Sequence, residues 1–220
     1  MFYKNLLVLA LLLFSFNAKA QSVNSAYLCM SDGAIVLADF DTCSVTDVVT
    51  QNDYLLNDIA EGDIPTSLYG VDFSNLYAID LTAHEMRPLG ALSFIGTSGA
   101  YLNSLVRESE GTLLAVSGDS TGSLFRIDIQ NLTATLLGAT GYASAGDLTF
   151  YEGELFLSAT GGGLVRVDID NPSSSELIGS MNAGGFADIF GVVTVIQGDP
   201  CAGDVNYEMI ATGGMETRVV

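Results

Sequence analysis

The sequence predicts an all-β protein folded as a β-propeller of four-stranded blades, and three observations support that expectation. A Leu-x-x-Ile/Val-Asp line occurs three times, over residues 76–81, 124–129 and 164–169. Each line is followed by a polar turn and a short strand that ends in Leu/Ile-Gly, at residues 89–90, 137–138 and 178–179. Helical periodicity is nearly absent after residue 20. A repeat of about 40–48 residues suits one four-stranded blade.

Each repeat aligns as four short strands. The first strands lie at residues 57–60, 103–106, 146–149 and 187–190, and the second strands at 67–71, 112–116 and 154–158. The Leu-x-x-Ile/Val-Asp lines are the third strands, and the strands that end in Leu/Ile-Gly are the fourth. Along the third strand one face is apolar throughout and the other is apolar at one end. Blades that stack face to face need apolar residues on both sides, and this pattern supplies them.

The units at the two ends of the chain are incomplete. Residues 21–198 hold a partial blade (26–50), three blades (about 53–92, 101–140 and 144–181) and a second partial blade (184–197). Residues 199–220 form an irregular tail or a truncated further blade. Two interpretations stay open: the last strand completes the first sheet and closes a ring of four blades, or the chain is part of a larger propeller.

The first twenty residues have the pattern of an export signal. Lys4 precedes an apolar run over residues 6–16, which is too short to span a bilayer. Ala18-Lys19-Ala20 supplies a small-x-small motif, which predicts cleavage after Ala20. No later apolar run is long enough to cross a membrane. We therefore expect a protein that is secreted or displayed at the cell surface.

The chain that remains after this cut is strongly acidic. Both lysines, Lys4 and Lys19, precede the cut, which leaves 5 Arg against 26 acidic residues and a formal charge of 5 − 26 = −21. Such a surface repels nucleic acid and anionic lipid, so we expect neither as a partner. A chain without lysine also has no residue for Schiff-base chemistry.

Cys29, Cys43 and Cys201 make an odd number of cysteines, and an oxidising compartment permits one disulfide among them. A bond from Cys29 to Cys43 would staple the first hairpins, whereas a bond from either one to Cys201 would join the ends of the chain. The sequence does not choose between these pairings. None of the three cysteines has the CxxC or Cys/His spacing of a zinc site.

The aspartates of the third strands, Asp80, Asp128 and Asp168, precede turns. An aspartate in that position accepts hydrogen bonds from the backbone N–H groups of the turn, so we interpret these residues as structural. Arg126 and Arg166 each lie two residues before one of them on the same strand face. The sequence therefore predicts local Arg–Asp pairs there.

One set of polar residues has equivalent positions in successive blades. First strands line the central channel of a propeller, and Asp58, Ser104, Asp147 and Asp188 occupy the same place in them. With inward side chains these residues would form a mostly acidic ring, the candidate site for a small polar ligand or a cation, with calcium as the cation to test. The alternative is that they point into the blade stack or onto turn N–H groups. We expect no other cofactor.

Catalytic motifs are weak by comparison. The only histidine, His84, lies in a turn between strands, where no Ser-His-Asp or Cys-His arrangement is indicated. Residues 161–163 are three consecutive glycines, without the following Lys and helix of a phosphate-binding loop. Paired carboxylates for glycoside hydrolysis stay open, because acidic residues are numerous.

The line GDLTFYEGELFLSATGGGLVRVDID, residues 146–170, together with the acidic, lysine-poor repeats, resembles the propeller-like regions of large secreted surface proteins of Bacteroidota. Those proteins carry gliding-motility-associated C-terminal domains and leave the cell by the type IX secretion route. The resemblance covers most of residues 25–195 and implies adhesion or surface display. The chain ends at Val220 without a recognisable sorting domain, and the resemblance supplies no catalytic residues.

The sequence therefore favours an exported, non-catalytic β-propeller that binds an extracellular protein or glycan through its blade-connecting loops. One alternative is an extracellular propeller hydrolase or lyase assisted by a divalent metal. A second alternative is a fragment without independent function.

Overall fold

The computed structural model describes residues 25–30, 32–39, 42, 44–49 and 54–180, and the structural statements below concern those residues. They form sixteen strands: β1 Ser25–Cys29, β2 Ile35–Asp39, β3 Ser44–Val49, β4 Asp58–Glu61, β5 Ser67–Val71, β6 Asn75–Asp80, β7 Glu85–Ala91, β8 Ser93–Ile95, β9 Leu102–Ser109, β10 Thr112–Ser117, β11 Ser123–Asp128, β12 Thr133–Ala139, β13 Ser144–Tyr151, β14 Glu154–Ala159, β15 Gly163–Val167 and β16 Glu176–Ser180. A single turn of 3-10 helix, Pro172–Ser174, precedes β16.

The strands form four small sheets, which are arranged as a four-blade β-propeller and confirm the predicted fold class. Blade 1 is β1–β3, blade 2 is β4–β7, blade 3 is β8–β12 and blade 4 is β13–β16. Consecutive strands within a blade pair antiparallel, apart from β8. The innermost strands of blades 2, 3 and 4 are β4, β9 and β13, and β9 lies between the other two.

Among the described residues, three apolar cores lie between successive blades. Strand β10 shows why, because its side chains alternate between two cores: Leu113 and Ala115 pack toward blade 2, whereas Leu114 and Val116 pack toward blade 4. All four side chains are fully buried. Burying one such leucine contributes roughly 1.5–3 kcal/mol. The expected apolar residues on both sides of a blade are therefore present.

A short strand that the sequence did not predict extends blade 3. Strand β8 comes from the connection between blades 2 and 3, and it pairs parallel with the outer strand β12, from Ser93 opposite Thr133 to Ile95 opposite Thr135. Phe94 packs against the core between blades 2 and 3, with its ring 5.5 Å from that of Phe125. Three residues with one inward aromatic side chain give too weak a pattern to read as a strand.

The third-strand aspartates act as turn residues, as predicted. Asp80 accepts the N–H groups of the two residues at positions 82 and 83, and Asp168 those at 170 and 171. Asp128 accepts the N–H of Asn131 at 3.0 Å. Asp39 likewise accepts the N–H of Thr42 at 3.1 Å, so a turn held by an aspartate also occurs in blade 1.

The predicted local Arg–Asp pairs are wrong. Arg126 forms a two-pronged ion pair with Glu108, at 2.7 and 2.6 Å, and Arg166 pairs with Glu176 at 2.7 Å and Glu154 at 3.5 Å. Glu176 lies directly opposite Arg166 on the neighbouring strand, where side chains are closer than two residues along one strand. The aspartates are also already occupied by their turns.

Candidate functional site

Asp58 lies at the start of the innermost strand of blade 2 and joins that blade to the next. Its Oδ2 accepts the N–H of Leu105 in blade 3 at 2.7 Å, and its Oδ1 accepts the N–H of Ile59 at 2.8 Å. The bond from Leu105 joins β4 to β9, whereas the bond from Ile59 stays within β4; hydrogen bonds to a carboxylate are stronger than those between neutral groups. Asp58 therefore has a structural role between the blades.

The structure also brings Asp147 near Asp58. Burial, and after it the negative charge of Asp147, raises the pKa of Asp58 well above its ordinary value, although the bonds from Leu105 and Ile59 act in the opposite direction. The two aspartates lie on β4 and β13, on either side of β9. Two of the four predicted ring positions thus influence each other.

Of the other two ring positions, Ser104 and Asp188, the structure describes only Ser104. Ser104 is fully buried, and its hydroxyl lies 3.3 Å from the N–H of Val116 and 3.4 Å from its carbonyl oxygen, within its own blade. Asp188 lies outside the described residues. In the part of the chain that the structure describes, no group of three or more His, Cys, Asp or Glu residues is placed to hold a metal ion.

Two asparagines beside these positions link the inner strands. The side-chain amide of Asn57 donates to the carbonyl of Leu102 at 2.7 Å, and that of Asn103 donates to the carbonyl of Ser144 at 3.0 Å. Each bond runs from one blade to the start of the next. The recurrence of Asn directly before a ring position is a signal that the sequence contains and that sequence reasoning missed.

Cys29 is a free thiol in the structure. It lies opposite Ile35, and its Sγ is 3.7 Å from the carbonyl oxygen of Leu56. Burial, and then the charge of Asp58, raises the pKa of Cys29 to about 11. Its two candidate partners, Cys43 and Cys201, lie outside the described residues.

His84 lies in the exposed turn between β6 and β7. It has a positive φ of 59°, and its Nδ1 is 2.8 Å from the carbonyl oxygen of Val48 in blade 1. This contact joins the β6–β7 turn of blade 2 to blade 1.

A second candidate site lies on the loops at one end of the propeller, between blades 2 and 3. It is a cleft of about 250 Å³, and its lining residues are Phe73, Tyr101, Asn103, Gly118 and Asp119. Phe73 and Tyr101 are 54% and 67% exposed, although both are large aromatic side chains. Their rings meet edge to face, with centroids 5.7 Å apart. We call these five residues the aromatic cleft.

The tight turn between β5 and β6 holds Phe73 at the surface. Asp72 accepts the N–H groups of Ser74 and Asn75 at 2.8 and 2.6 Å, so the chain turns tightly at Phe73. The hydroxyl of Tyr77 donates to the same carboxylate at 2.7 Å. These bonds outweigh the effect of burial and lower the pKa of Asp72. The turn that carries Phe73 is therefore held by an ionised side chain.

Backbone hydrogen bonds connect the aromatic residues across the two blades. The N–H of Leu102 donates to the carbonyl of Phe73 at 3.0 Å, and the N–H of Gly118 donates to the carbonyl of Tyr101 at 2.9 Å. Gly118 also lies close to Asn103, because a Cβ there would be 3.2 Å from the Cβ of Asn103. The cleft is thus assembled by the backbone before any ligand arrives.

Asp119 supplies the charge of the cleft. Burial acts to raise the pKa of Asp119, but hydrogen bonds from Thr121, Ser117 and Gly122 outweigh burial and lower that pKa below its ordinary value. The carboxylate is therefore ionised at neutral pH. The cleft combines two aromatic rings, one amide and one carboxylate, the chemistry that a polar ligand with an apolar face requires.

The equivalent junction between blades 3 and 4 is different. Its interblade loop carries Tyr142, which is half-buried against the core between those blades. The β10–β11 turn of blade 3, which corresponds there to the β5–β6 turn that carries Phe73, has no aromatic residue. The fold therefore does not require exposed aromatic rings at such a junction, and Phe73 and Tyr101 are a local addition to it.

No protein-family model matches this sequence, and no curated protein matches it. No helix among the described residues has the length and apolar character needed to cross a membrane.

Solved structures do share the fold. A protein of unknown function from Bacteroides thetaiotaomicron has 15% sequence identity and a TM-score of 0.52 over 70% of this chain and 40% of that one. A nidogen/laminin complex has 14% identity and a TM-score of 0.54, over 71% of this chain and 61% of that one. An auxiliary nutrient binding protein from B. thetaiotaomicron has 16% identity and a TM-score of 0.53, over 76% of this chain and 43% of that one.

The chain thus spans less than two thirds of each of these proteins. At 14–16% identity the likeness concerns the fold alone. This chain is a β-propeller that shares its fold with two proteins from Bacteroides thetaiotaomicron and with a nidogen/laminin complex.

Proposed function

We propose that this chain is an exported, non-catalytic binding module, which acts at the cell surface or in the extracellular space through the loops between blades 2 and 3. The observation that carries the proposal is the aromatic cleft. Exposed, fixed aromatic side chains are typical of binding surfaces, because they gain contact area without a large loss of conformational entropy. Phe73 and Tyr101 meet both conditions.

The chemistry of the acidic residues also favours binding over catalysis. Asp80, Asp128 and Asp168 are occupied by turn N–H groups, and Asp58 by two backbone N–H groups of the inner strands. The cleft itself contains one carboxylate. A glycoside hydrolase of the usual kind uses two carboxyl groups on opposite sides of the bond that is cleaved.

Export is part of the proposal. The apolar run over residues 6–16 and the Ala-Lys-Ala motif that ends at Ala20 support a cleaved signal. The surface proteins of Bacteroidota that use the type IX route are the class we propose for it, and two of the fold neighbours come from that phylum's genus Bacteroides. N-terminal sequencing of the secreted protein should begin at Gln21.

A binding assay with surface material tests the function. The full sequence is expressed for export, labelled, and applied to intact bacterial cells and to insoluble plant and animal matrix. We expect saturable binding that falls at least about tenfold, or 1.4 kcal/mol, in the double variant Phe73→Ala/Tyr101→Ala. Tyr151 is the matched control, since it is 50% exposed and its ring lies 6.4 Å from that of Phe156, away from the cleft.

Tyr151→Ala should bind as the unchanged protein does. Equal losses in the control and the double variant would contradict the assignment of the surface. An absence of saturable binding to every material would contradict the function itself.

A further inference from the structure

We infer that the aromatic cleft binds one ring of a neutral carbohydrate, an inference that rests on the proposed binding function and names its ligand. The ring of the sugar lies against the exposed face of Tyr101. Its hydroxyl groups reach the side-chain amide of Asn103 and the carboxylate of Asp119.

The size of the cleft favours a single ring. Its volume of about 250 Å³ lies below the roughly 300–1,000 Å³ of pockets that enclose a drug-sized ligand. The cleft is also shallow, since its two aromatic residues remain more than half exposed. The cleft would therefore hold one sugar unit of a polysaccharide, and the rest of the polysaccharide would lie on the protein surface.

The aromatic residues match the apolar face of a sugar. The face of an aromatic ring carries partial negative charge from its quadrupole. The C–H groups on one side of a pyranose ring carry partial positive charge, because each is next to an oxygen. Tyr101 is 67% exposed, and its ring is in edge-to-face contact with that of Phe73, with centroids 5.7 Å apart. A flat stacking platform is therefore ready before the ligand binds.

The polar residues match hydroxyl groups. A sugar hydroxyl both donates and accepts, and an amide beside a carboxylate can serve it in both directions. Asn103 uses one N–H for the carbonyl of Ser144, which fixes the orientation of its amide. Asp119 is ionised, and a hydroxyl that donates to a carboxylate forms a charge-assisted bond, stronger than a neutral one.

Charge decides which sugars fit. None of the five residues of the cleft is basic, and the chain carries 26 acidic residues against 7 basic ones. Uronic acids, sialic acids and sulfated sugars would be repelled by such a field. A basic peptide would be attracted by the overall charge, yet Asp119 is the single carboxylate of the cleft, and one carboxylate can pair with only one basic side chain. A neutral sugar unit fits all of these features.

Calorimetric titration of the full chain tests this inference. The probes are neutral hexasaccharides of glucose, xylose, mannose and N-acetylglucosamine, with oligogalacturonate as the anionic probe and an arginine-rich hexapeptide as the cationic one. At least one neutral hexasaccharide should bind, with little change in affinity between low and high salt, because no ion pair is formed.

Three variants locate the binding. Tyr101→Ala and Phe73→Ala should each weaken binding at least about tenfold, and Tyr101→Phe should retain affinity within about threefold, because the stacking face remains. Tyr151→Ala should bind unchanged. Thermal melts of all four variants confirm that they fold.

The remaining outcomes overturn the inference in distinguishable ways. If only the peptide or oligogalacturonate binds, the sugar assignment is wrong and the binding function remains. The same conclusion follows if no probe binds while the labelled chain still binds surface material. Sugar binding that persists in Tyr101→Ala overturns the position of the site. No probe bound and no surface binding overturns both proposals.

Discussion

At the scale of single residues, the pKa of an aspartate is shifted in opposite directions in two parts of the fold. Asp80 is exposed at a turn, where the N–H groups of Ala83 and Thr82 lower its pKa. Asp58 is half-buried between inner strands, where the loss of solvent and then the charge of Asp147 raise its pKa. Both accept two backbone N–H groups, so the difference comes from solvent and from the neighbouring charge.

This difference predicts opposite pH dependences for two asparagine variants. Because the pKa of Asp58 is raised on folding, its contribution to stability is fully present below the ordinary aspartate pKa and is lost as pH rises through the raised pKa. The melting temperature of Asp58→Asn, relative to the unchanged protein, should therefore increase from about pH 4 to about pH 8. Thermal melts followed by circular dichroism measure it.

Asp80→Asn is the matched control with the opposite sign. Its lowered pKa contributes stability above the ordinary aspartate pKa, and this contribution is lost as pH falls. The relative melting temperature of Asp80→Asn should therefore decrease as pH rises. Parallel pH profiles for the two variants would contradict the placement of Asp58 in a poorly solvated site beside Asp147.

Two glycines allow a second test at this scale. Gly122 and Gly141 both have positive φ, of 55° and 81°, but a Cβ at Gly122 would overlap the carbonyl oxygen of Tyr142, whereas a Cβ at Gly141 meets nothing within 4 Å. Gly141→Ala should cost about 1 kcal/mol of unfolding free energy, from backbone strain alone. Gly122→Ala should cost at least about 2 kcal/mol more, because a backbone atom must move.

Urea denaturation measures both costs. Similar values for the two variants would mean that the loop around Tyr142 can move away without strain, and would contradict the close approach of the two segments.

At the scale of elements, strands with a continuous apolar run could be predicted and the short strand without one could not. The four-strand pattern of blades 2, 3 and 4 is readable because β5, β10 and β14 carry apolar residues at nearly every position. The partners of Arg126 and Arg166 could not be read, because they depend on which residues lie across from each other in neighbouring strands. Strand β8 escaped prediction because it is short and has one inward aromatic residue.

The contribution of β8 can be measured with two variants of adjacent residues. Phe94 packs against the core between blades 2 and 3, whereas Ile95 is 50% exposed. Phe94→Ala should lower the free energy of unfolding by about 2–4 kcal/mol, toward the low end of buried phenylalanine truncations. Ile95→Ala should change it by less than about 0.5 kcal/mol. Equal, small effects would show that β8 adds little to blade 3.

At the scale of the whole molecule, the interfaces between blades hold the described core together. Three separate apolar clusters lie between blades 1 and 2, 2 and 3, and 3 and 4. Asn57, Asn103 and Asp58 add polar bonds between the inner strands of adjacent blades. Neighbour contacts of this kind explain why a repeated pattern in the sequence was sufficient to predict the architecture.

The candidate site could be predicted only in part. The sequence indicates that blade-connecting loops form the working surface, whereas in the aromatic cleft Tyr101 lies on such a loop and Phe73 and Asp119 lie on turns inside their blades. The cleft itself joins Phe73 of blade 2 with Tyr101 and Asp119 of blade 3, and their meeting depends on how the blades pack. The inner-strand aspartates were identified from the repeat, but the bonds that occupy Asp58 come from the backbone, which a sequence pattern does not reveal.

The parallel pairing of β8 with β12 also bears on how the chain could be divided by duplication or by protein engineering. The sequence repeat begins at an inner strand, so a copied unit of blade 3 would begin near Leu102. Such a unit would leave the outer edge of β12 without the partner it has here, and an unpaired edge invites association with other chains. A transplantable blade 3 must therefore begin at Ser93, inside the connection that follows blade 2.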